Sequence, residues 1–299
     1  MKIAVVGAGG VGGYVAAMLA TAGQEVYLVA RGGNKEAIQR RGIRVEIGGK
    51  TLQAEVKQVS DDPAEFGERM ACVLFCTKGY DLEEALLRSA SMIGPETLLV
   101  PLGNGVANAE KIRMHYPENP VANGAVYIVS HLEAPGVVKV KGKGAYIVIG
   151  SDGGVSQEIQ QLGEVLDRAG IKTKVSGEIT TEVWKKFLLI SAMATLTSCY
   201  DEPMGAVVKK RAKELDAILH EILAVGRAEG AKLKESDIEK AVDQVKRVPY
   251  DSPTSMWLDI KAGRKSELEA LSGYVVKRGA EHGIPVPVMR RCYEELKGA

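Results

Sequence analysis

Six residues near the start constrain this chain more than any others: Gly7-Ala8-Gly9-Gly10-Val11-Gly12. They fit Gly-x-Gly-x-x-Gly, a pattern of little weight alone in a chain with 34 glycines. The setting gives it weight. Ile3-Ala-Val-Val-Gly7 reads as a buried strand, and a helix is expected from about Val11 to Ala22, stopped by Gly23. Glu25-Val-Tyr-Leu-Val-Ala30 reads as a second strand. A strand, glycine turn and helix in this order form a Rossmann βαβ unit. Gly7 permits the tight turn, Gly9 lets backbone approach a pyrophosphate, and Gly12 lets helix and strand pack closely. The turn from Gly7 through Ala8, Gly10 and Val11 then holds the phosphates at the helix N-terminus. A glycine-rich turn without a ligand is the alternative.

The end of the second strand decides which dinucleotide is expected. An NAD site places Asp or Glu there, about twenty residues along, to hold the ribose 2′-hydroxyl. Here the chain reads Val29-Ala30-Arg31-Gly32-Gly33, with no carboxylate until Glu36. Arg31 offers a planar cation suited to a 2′-phosphate, so NADPH is predicted. An ordinary solvated arginine after a strand is the competing reading.

Further along, Ala71-Cys-Val-Leu-Phe-Cys76 and Thr97-Leu-Leu-Val-Pro-Leu102 read as buried strands, with helix from Asp81 through Ser91. The alternation predicts an α/β fold with a parallel, doubly wound sheet. Val121–Ser130, Val137–Lys141 and Ala145–Ile149 are expected as antiparallel strands at the edge of that sheet. A helix over Gln157–Ala169 and a strand over Lys172–Val175 complete the first domain. From about Glu178 strand signals vanish, and helices are expected over Thr181–Ser198, Ala206–Glu229, Ile238–Val248, Pro253–Ala262, Glu267–Glu281 and Val288–Leu296. The chain therefore reads as an NADP-binding Rossmann domain over 1–176 and an all-helical substrate domain over 177–299, hinged near Ser176-Gly177. The substrate is expected in the cleft between them.

Composition removes several function classes. The 39 basic and 38 acidic residues leave +1, which favours no nucleic acid and no strongly charged partner. Met1-Lys2-Ile3 leads straight into a strand, without the build of a signal peptide, and Phe187 to Tyr200 is too short to span a bilayer. A cytoplasmic chain without membrane partners is expected. Cys72, Cys76, Cys199 and Cys292 have no metal-like spacing, so no metal is expected and the thiols read as reduced and structural.

Hydride transfer to a carbonyl needs a proton donor at the developing alkoxide. His115, His131, His220 and His282 are read as structural, in helix or edge contexts without a carboxylate companion, and lysines are too numerous to choose between by composition. Other features bear on the choice: Thr77-Lys78 and Asn104-Gly105 after strands, and Glu182-Val-Trp184-Lys-Lys186. Further on lie Ser255-Met-Trp-Leu-Asp259, Gly263-Arg264, Ser266-Glu267-Leu-Glu269 and Gly283-Ile-Pro285-Val-Pro287. Together with the glycine motif, and in this order, they resemble the ketopantoate reductase (2-dehydropantoate 2-reductase) family along the whole chain.

That resemblance implies NADPH-dependent reduction of ketopantoate to pantoate, a step of pantothenate biosynthesis. It implies Lys186 as the general acid, Glu267 as the acid that holds the substrate hydroxyl, and Asn104 at the nicotinamide and substrate junction. Ser255 would help hold the substrate carboxylate, while Arg31 and Lys78 would contact the cofactor. Each has an ordinary alternative. Lys186 also reads as a solvated lysine beside Lys185, and Glu267 suits the first turn of a helix. Asn104 suits a left-handed turn, and Ser255 a cap one turn into a helix started by Ser252-Pro253. Glu269 reads as the far member of a capping box with Ser266. Trp184 and Trp257 read as core.

The chain also departs from the family. One and two turns after the lysine, where asparagines are usual, stand Ile190 and Ala194; Ser252 replaces another asparagine, and Glu269 an aspartate. A different, less polar 2-oxo acid is therefore a second expectation, and a non-catalytic NADPH sensor a third. A 3-hydroxyacid dehydrogenase architecture is disfavoured by the Ser-Met-x-x-Asp and Ser-Glu-Leu-Glu stretches. Helical domains of this type often self-associate, so a homodimer is the expected assembly.

Overall fold

Short runs of β-branched and large apolar residues make strands that bury both faces, as parallel sheets require. In the structure, a computed structural model describing residues 1–298, β1 (Lys2–Val6), β2 (Glu25–Val29), β5 (Gln58–Ser60), β6 (Cys72–Phe75) and β7 (Leu98–Pro101) form one sheet. Its order is β5-β2-β1-β6-β7, parallel throughout. Helix α1 (Gly10–Thr21) joins β1 to β2, and α2 (Gly32–Arg41), α3 (Leu82–Arg88) and α4 (Asn108–His115) follow.

The expectation for residues 121–150 needs correcting. They do not extend the first sheet. Strands β8 (Asn123–Ala134) and β9 (Val137–Gly150) form a long hairpin at the heart of a second sheet, ordered β10-β9-β3-β4 with β8 on β9. Its other members are β3 (Ile43–Ile47), β4 (Lys50–Ala54) and β10 (Lys172–Ser176). Gly142-Lys143-Gly144 does not divide β9 into two strands. Helix α1 packs against both sheets, which explains a sequence that is small and apolar all round: Gly12 through Ala17 and Leu19 are buried. Helix α5 (Gln157–Arg168) covers β10 and β9.

Beyond residue 179 every element is helical: α6 (Ile179–Tyr200), α7 (Met204–Lys210), α8 (Ala212–Ala228), α9 (Glu235–Lys246), α10 (Ser255–Lys261), α11 (Tyr274–Glu281) and α12 (Pro287–Gly298). The expected single helix over Ala206–Glu229 is two helices, broken at Arg211. An α/β unit, Met1–Gly103 with Ala107–Ile179, is thus distinct from a helical unit, Asn104–Val106 with residues 180–298. The last residue of the expected second domain, Ala299, lies outside the described residues. Among the described residues no helix is long and apolar enough to cross a membrane.

Candidate active site

In the α/β unit the glycine motif occupies the β1–α1 turn. Gly7 has φ +100°, and its N–H donates to Val29 O at 3.0 Å. A Cβ on Gly12 would sit 1.9 Å from Gly7 O, and one on Gly10 would sit 2.7 Å from the backbone of Ser130. Gly9 has nothing within 4 Å of where its Cβ would be. Strand and helix thus close tightly at the back of the turn while the front stays open, with the N-terminus of α1 behind it. That cradle fits a dinucleotide pyrophosphate.

Two contributors to this loop lie outside the motif. Asn34 Nδ2 donates to Ala8 O at 2.8 Å, and Asn34 Oδ1 accepts from Gly136 N at 2.7 Å, tying the glycine turn to the β8–β9 turn. Ser130 of β8 supplies the backbone behind Gly10. Asn34, five residues past the end of the second strand, had a weak signal in its position; Ser130 had none. Arg31 stands exposed just before α2, and its guanidinium bonds Glu84 at 2.8 Å, both side chains being more than half exposed. Lys78, three residues past the end of β6, is partly buried and opens the 3-10 turn Gly79–Asp81.

The helical unit brings three of the expected residues together. Lys186 Nζ donates to Asn104 Oδ1 at 2.9 Å, and Asn104 Nδ2 donates to Glu267 Oε2 at 3.3 Å. A lysine ammonium only donates and a carboxylate only accepts, so this order fixes which way the amide faces. Glu267 is 3% exposed, in the short stretch between α10 and the resumption of helix at Leu268. Burial lowers Lys186 from 10.5 to about 8, with the nearby Glu267 charge opposing the fall. A partly buried lysine so tuned gives up its proton far more readily than a solvated one.

The remaining expected residues stand apart from this chain of bonds. Ile190, partly buried, and Ala194, 4% exposed, pack in the apolar core of the helical unit and offer no hydrogen bond. Ser255 is exposed at the first residue of α10. Ser252 lies in the preceding turn, its carbonyl accepting from Met204 N at 3.0 Å.

Several local readings are corrected. The cap of α10 is Thr254, whose Oγ1 accepts from Trp257 N at 3.3 Å, so neither Ser252 nor Ser255 has that role. Glu269 does not form a capping box; both its oxygens accept from Tyr293 OH, at 2.9 and 3.0 Å. Three histidines do have carboxylate companions: His131 with Glu133, His220 with Asp216 and Glu235, and His282 with Glu229. All four cysteines are free, and burial pushes the Cys76 thiol beside the glycine loop up to about 12, which keeps it protonated near neutral pH.

Residues 3–153 match the family model described as Ketopantoate reductase PanE/ApbA, and residues 178–299 match Ketopantoate reductase PanE/ApbA C terminal. The chain belongs to the ketopantoate reductase family. It is an oxidoreductase acting on a CH–OH/C=O pair. Similar proteins include the uncharacterized oxidoreductase YkpB of Bacillus subtilis, 26% identical over 99% of this chain and 98% of that protein. A 2-dehydropantoate 2-reductase of Pyrococcus horikoshii is 30% identical over 93% of this chain and 90% of its own length. Among solved structures, a PanE/ApbA family ketopantoate reductase from Ralstonia eutropha JMP134 superposes with TM-score 0.90 at 33% identity, covering 99% of this chain and 97% of that one.

Proposed function

We propose that this oxidoreductase reduces a 2-oxo acid to the 2-hydroxy acid with NADPH, and that ketopantoate is its substrate and pantoate its product. The observation behind this reading is the bonded chain Lys186–Asn104–Glu267, with a partly buried Lys186 lowered to about 8. A nicotinamide nucleotide held at Gly7–Gly12 supplies the hydride. Lys186 then donates a proton to the ketone oxygen as negative charge builds there, Asn104 orients the ammonium, and Glu267 accepts the substrate hydroxyl. Arg31 and Lys78 serve the cofactor, Arg31 at the 2′-phosphate after exchanging its exposed bond to Glu84. Exposed ion pairs are worth only about 0–1 kcal/mol, so a phosphate competes readily. Ser255, with Ser252 nearby, serves the substrate carboxylate. The division at 1–176 and 177–299 separates a nucleotide part from a substrate part.

Purified protein should oxidise NADPH when ketopantoate is added, and Lys186→Ala should lower kcat by roughly 10²–10⁴, the range for a positioned general acid. A rate unchanged in that variant contradicts the assignment. Ile190 and Ala194 favour a second reading, a less polar 2-oxo acid, because the helix face one and two turns beyond Lys186 offers no hydrogen bond. A panel of 2-oxo acids with NADPH separates the two: a higher kcat/KM for an apolar 2-oxo acid than for ketopantoate selects the second.

A further inference from the structure

After Glu267 the chain resumes helix at Leu268, but Glu269–Gly273 is a π-helical turn before α11 begins. Such turns carry an extra residue in the spiral, are uncommon, and occur often at functional sites. Two hydroxyls from α6 hold this one. Ser191 Oγ donates to Leu271 O at 3.3 Å, and Thr195 Oγ1 shares a hydrogen bond of 2.7 Å with Ser272 Oγ. Thr195 Oγ1 also lies 3.6 Å from Met289 Sδ. Ser191, Thr195 and Ser272 are each 0% exposed. A hydroxyl taken wholly from water is costly unless it is bonded, so this buried polar stripe depends on its partners. Ser191 and Thr195 are four residues apart, and Phe187, four before Ser191, meets Tyr274 edge-on at 6.2 Å. One face of α6 thus meets Leu271 and Ser272 of the π turn and Tyr274 just beyond it.

The bonds run on to Glu267 itself. Leu271 O accepts from Ser191, and Leu271 N donates to Glu267 O at 3.0 Å. Lys186 sits on the same helix, five residues before Ser191. The helix that presents the ammonium therefore also fixes the backbone that presents the carboxylate. We infer that Ser191 and Thr195 are positioning residues, latching the π turn to α6 so that Glu267 reaches Asn104 and bears on Lys186. This rests on the roles proposed above for Lys186 and Glu267.

The test uses the full chain with Ser191→Ala, Thr195→Val and Thr195→Ser beside Lys186→Ala. Thr195→Val and Ser191→Ala should each lower kcat roughly tenfold, below the ~10²-fold that a 1 Å misplacement costs, with KM for NADPH within about twofold. Thr195→Ser, which keeps the hydroxyl, should restore kcat. The alkaline limb of kcat should move to lower pH in both loosened variants, because Glu267 holds the Lys186 pKa up. A fall in thermal midpoint with kcat and the limb unmoved would reduce the latch to packing and overturn the inference. Should Thr195→Val fail to fold, Ser191→Ala tests the same latch with the same two readouts. A Lys186→Ala variant with full rate would instead remove the underlying roles, and the latch with them.

Discussion

The glycine loop and the Lys186–Asn104–Glu267 chain are built from different materials. The loop presents backbone: its features are a turn at positive φ, a helix N-terminus and the absence of side chains at Gly12 and Gly10. The second site presents side chains, two of them ionisable, joined through Asn104, and burial offset by the Glu267 charge sets the proton affinity of Lys186. A backbone site fails when an atom is added; a side-chain site fails when one is removed or moved. The former is indifferent to pH near neutrality, and the latter is governed by it.

Adding one carbon should give the largest effect. Gly12→Ala places a Cβ 1.9 Å from Gly7 O, so the turn must open. NADPH affinity should fall by more than ~10²-fold, with about 1–3 kcal/mol lost from the α/β unit, as for other overpacked sites. Nucleotide titration and a denaturant melt would measure both. Normal affinity in this variant would mean that the tight closure is irrelevant to binding.

Changing charge at the loop's rim should come next. Arg31→Asp should weaken NADPH roughly 10–100-fold, the equivalent of one or two charge-assisted hydrogen bonds, and leave NADH nearly unchanged. Equal losses for both nucleotides would detach Arg31 from the 2′-phosphate.

The smallest effect belongs to the two α6 positions proposed to bear on substrate choice. Ile190→Asn with Ala194→Asn should raise kcat/KM for ketopantoate relative to an apolar 2-oxo acid by about tenfold, the equivalent of a net hydrogen bond of about 0.5–1.5 kcal/mol. An unchanged ratio would remove these two positions from specificity.

The same contrast governs what could be seen in the sequence. The β1–α1–β2 unit was legible because strand run, glycine spacing and helix are contiguous, and contiguity is what a sequence displays. The second sheet was not. Alternation over 121–150 announces strands but not their partner, and β3 and β4, which make that sheet possible, are short and half polar: Arg44 and Glu46 stand in one, Lys50, Thr51 and Gln53 in the other. Their sign was Gly48-Gly49, both at positive φ, the chemistry of a two-residue hairpin turn. The break at Arg211 was hidden because apolar spacing runs through it without Gly or Pro. Among the site residues, Lys186, Asn104 and Glu267 lie 82 and 163 residues apart by their bonds, so only the resemblance could join them. The histidine partners differ in how far the sequence displays them. His282 and Glu229 are 53 residues apart, whereas Glu133 lies only two residues from His131 on the same strand face and could have been read from alternation.

The pH dependence of hydride transfer, followed under single-turnover conditions in the wild type and in Glu267→Gln, reports on whether Lys186 is the proton donor. Lys186 must be protonated to donate, so the rate should be flat below its pKa and fall as pH rises through about 8. Removing the Glu267 charge should move that fall to lower pH. A rate that holds until the ordinary lysine range near 10.4, or a fall at the same pH in both proteins, would contradict Lys186 as the tuned proton donor.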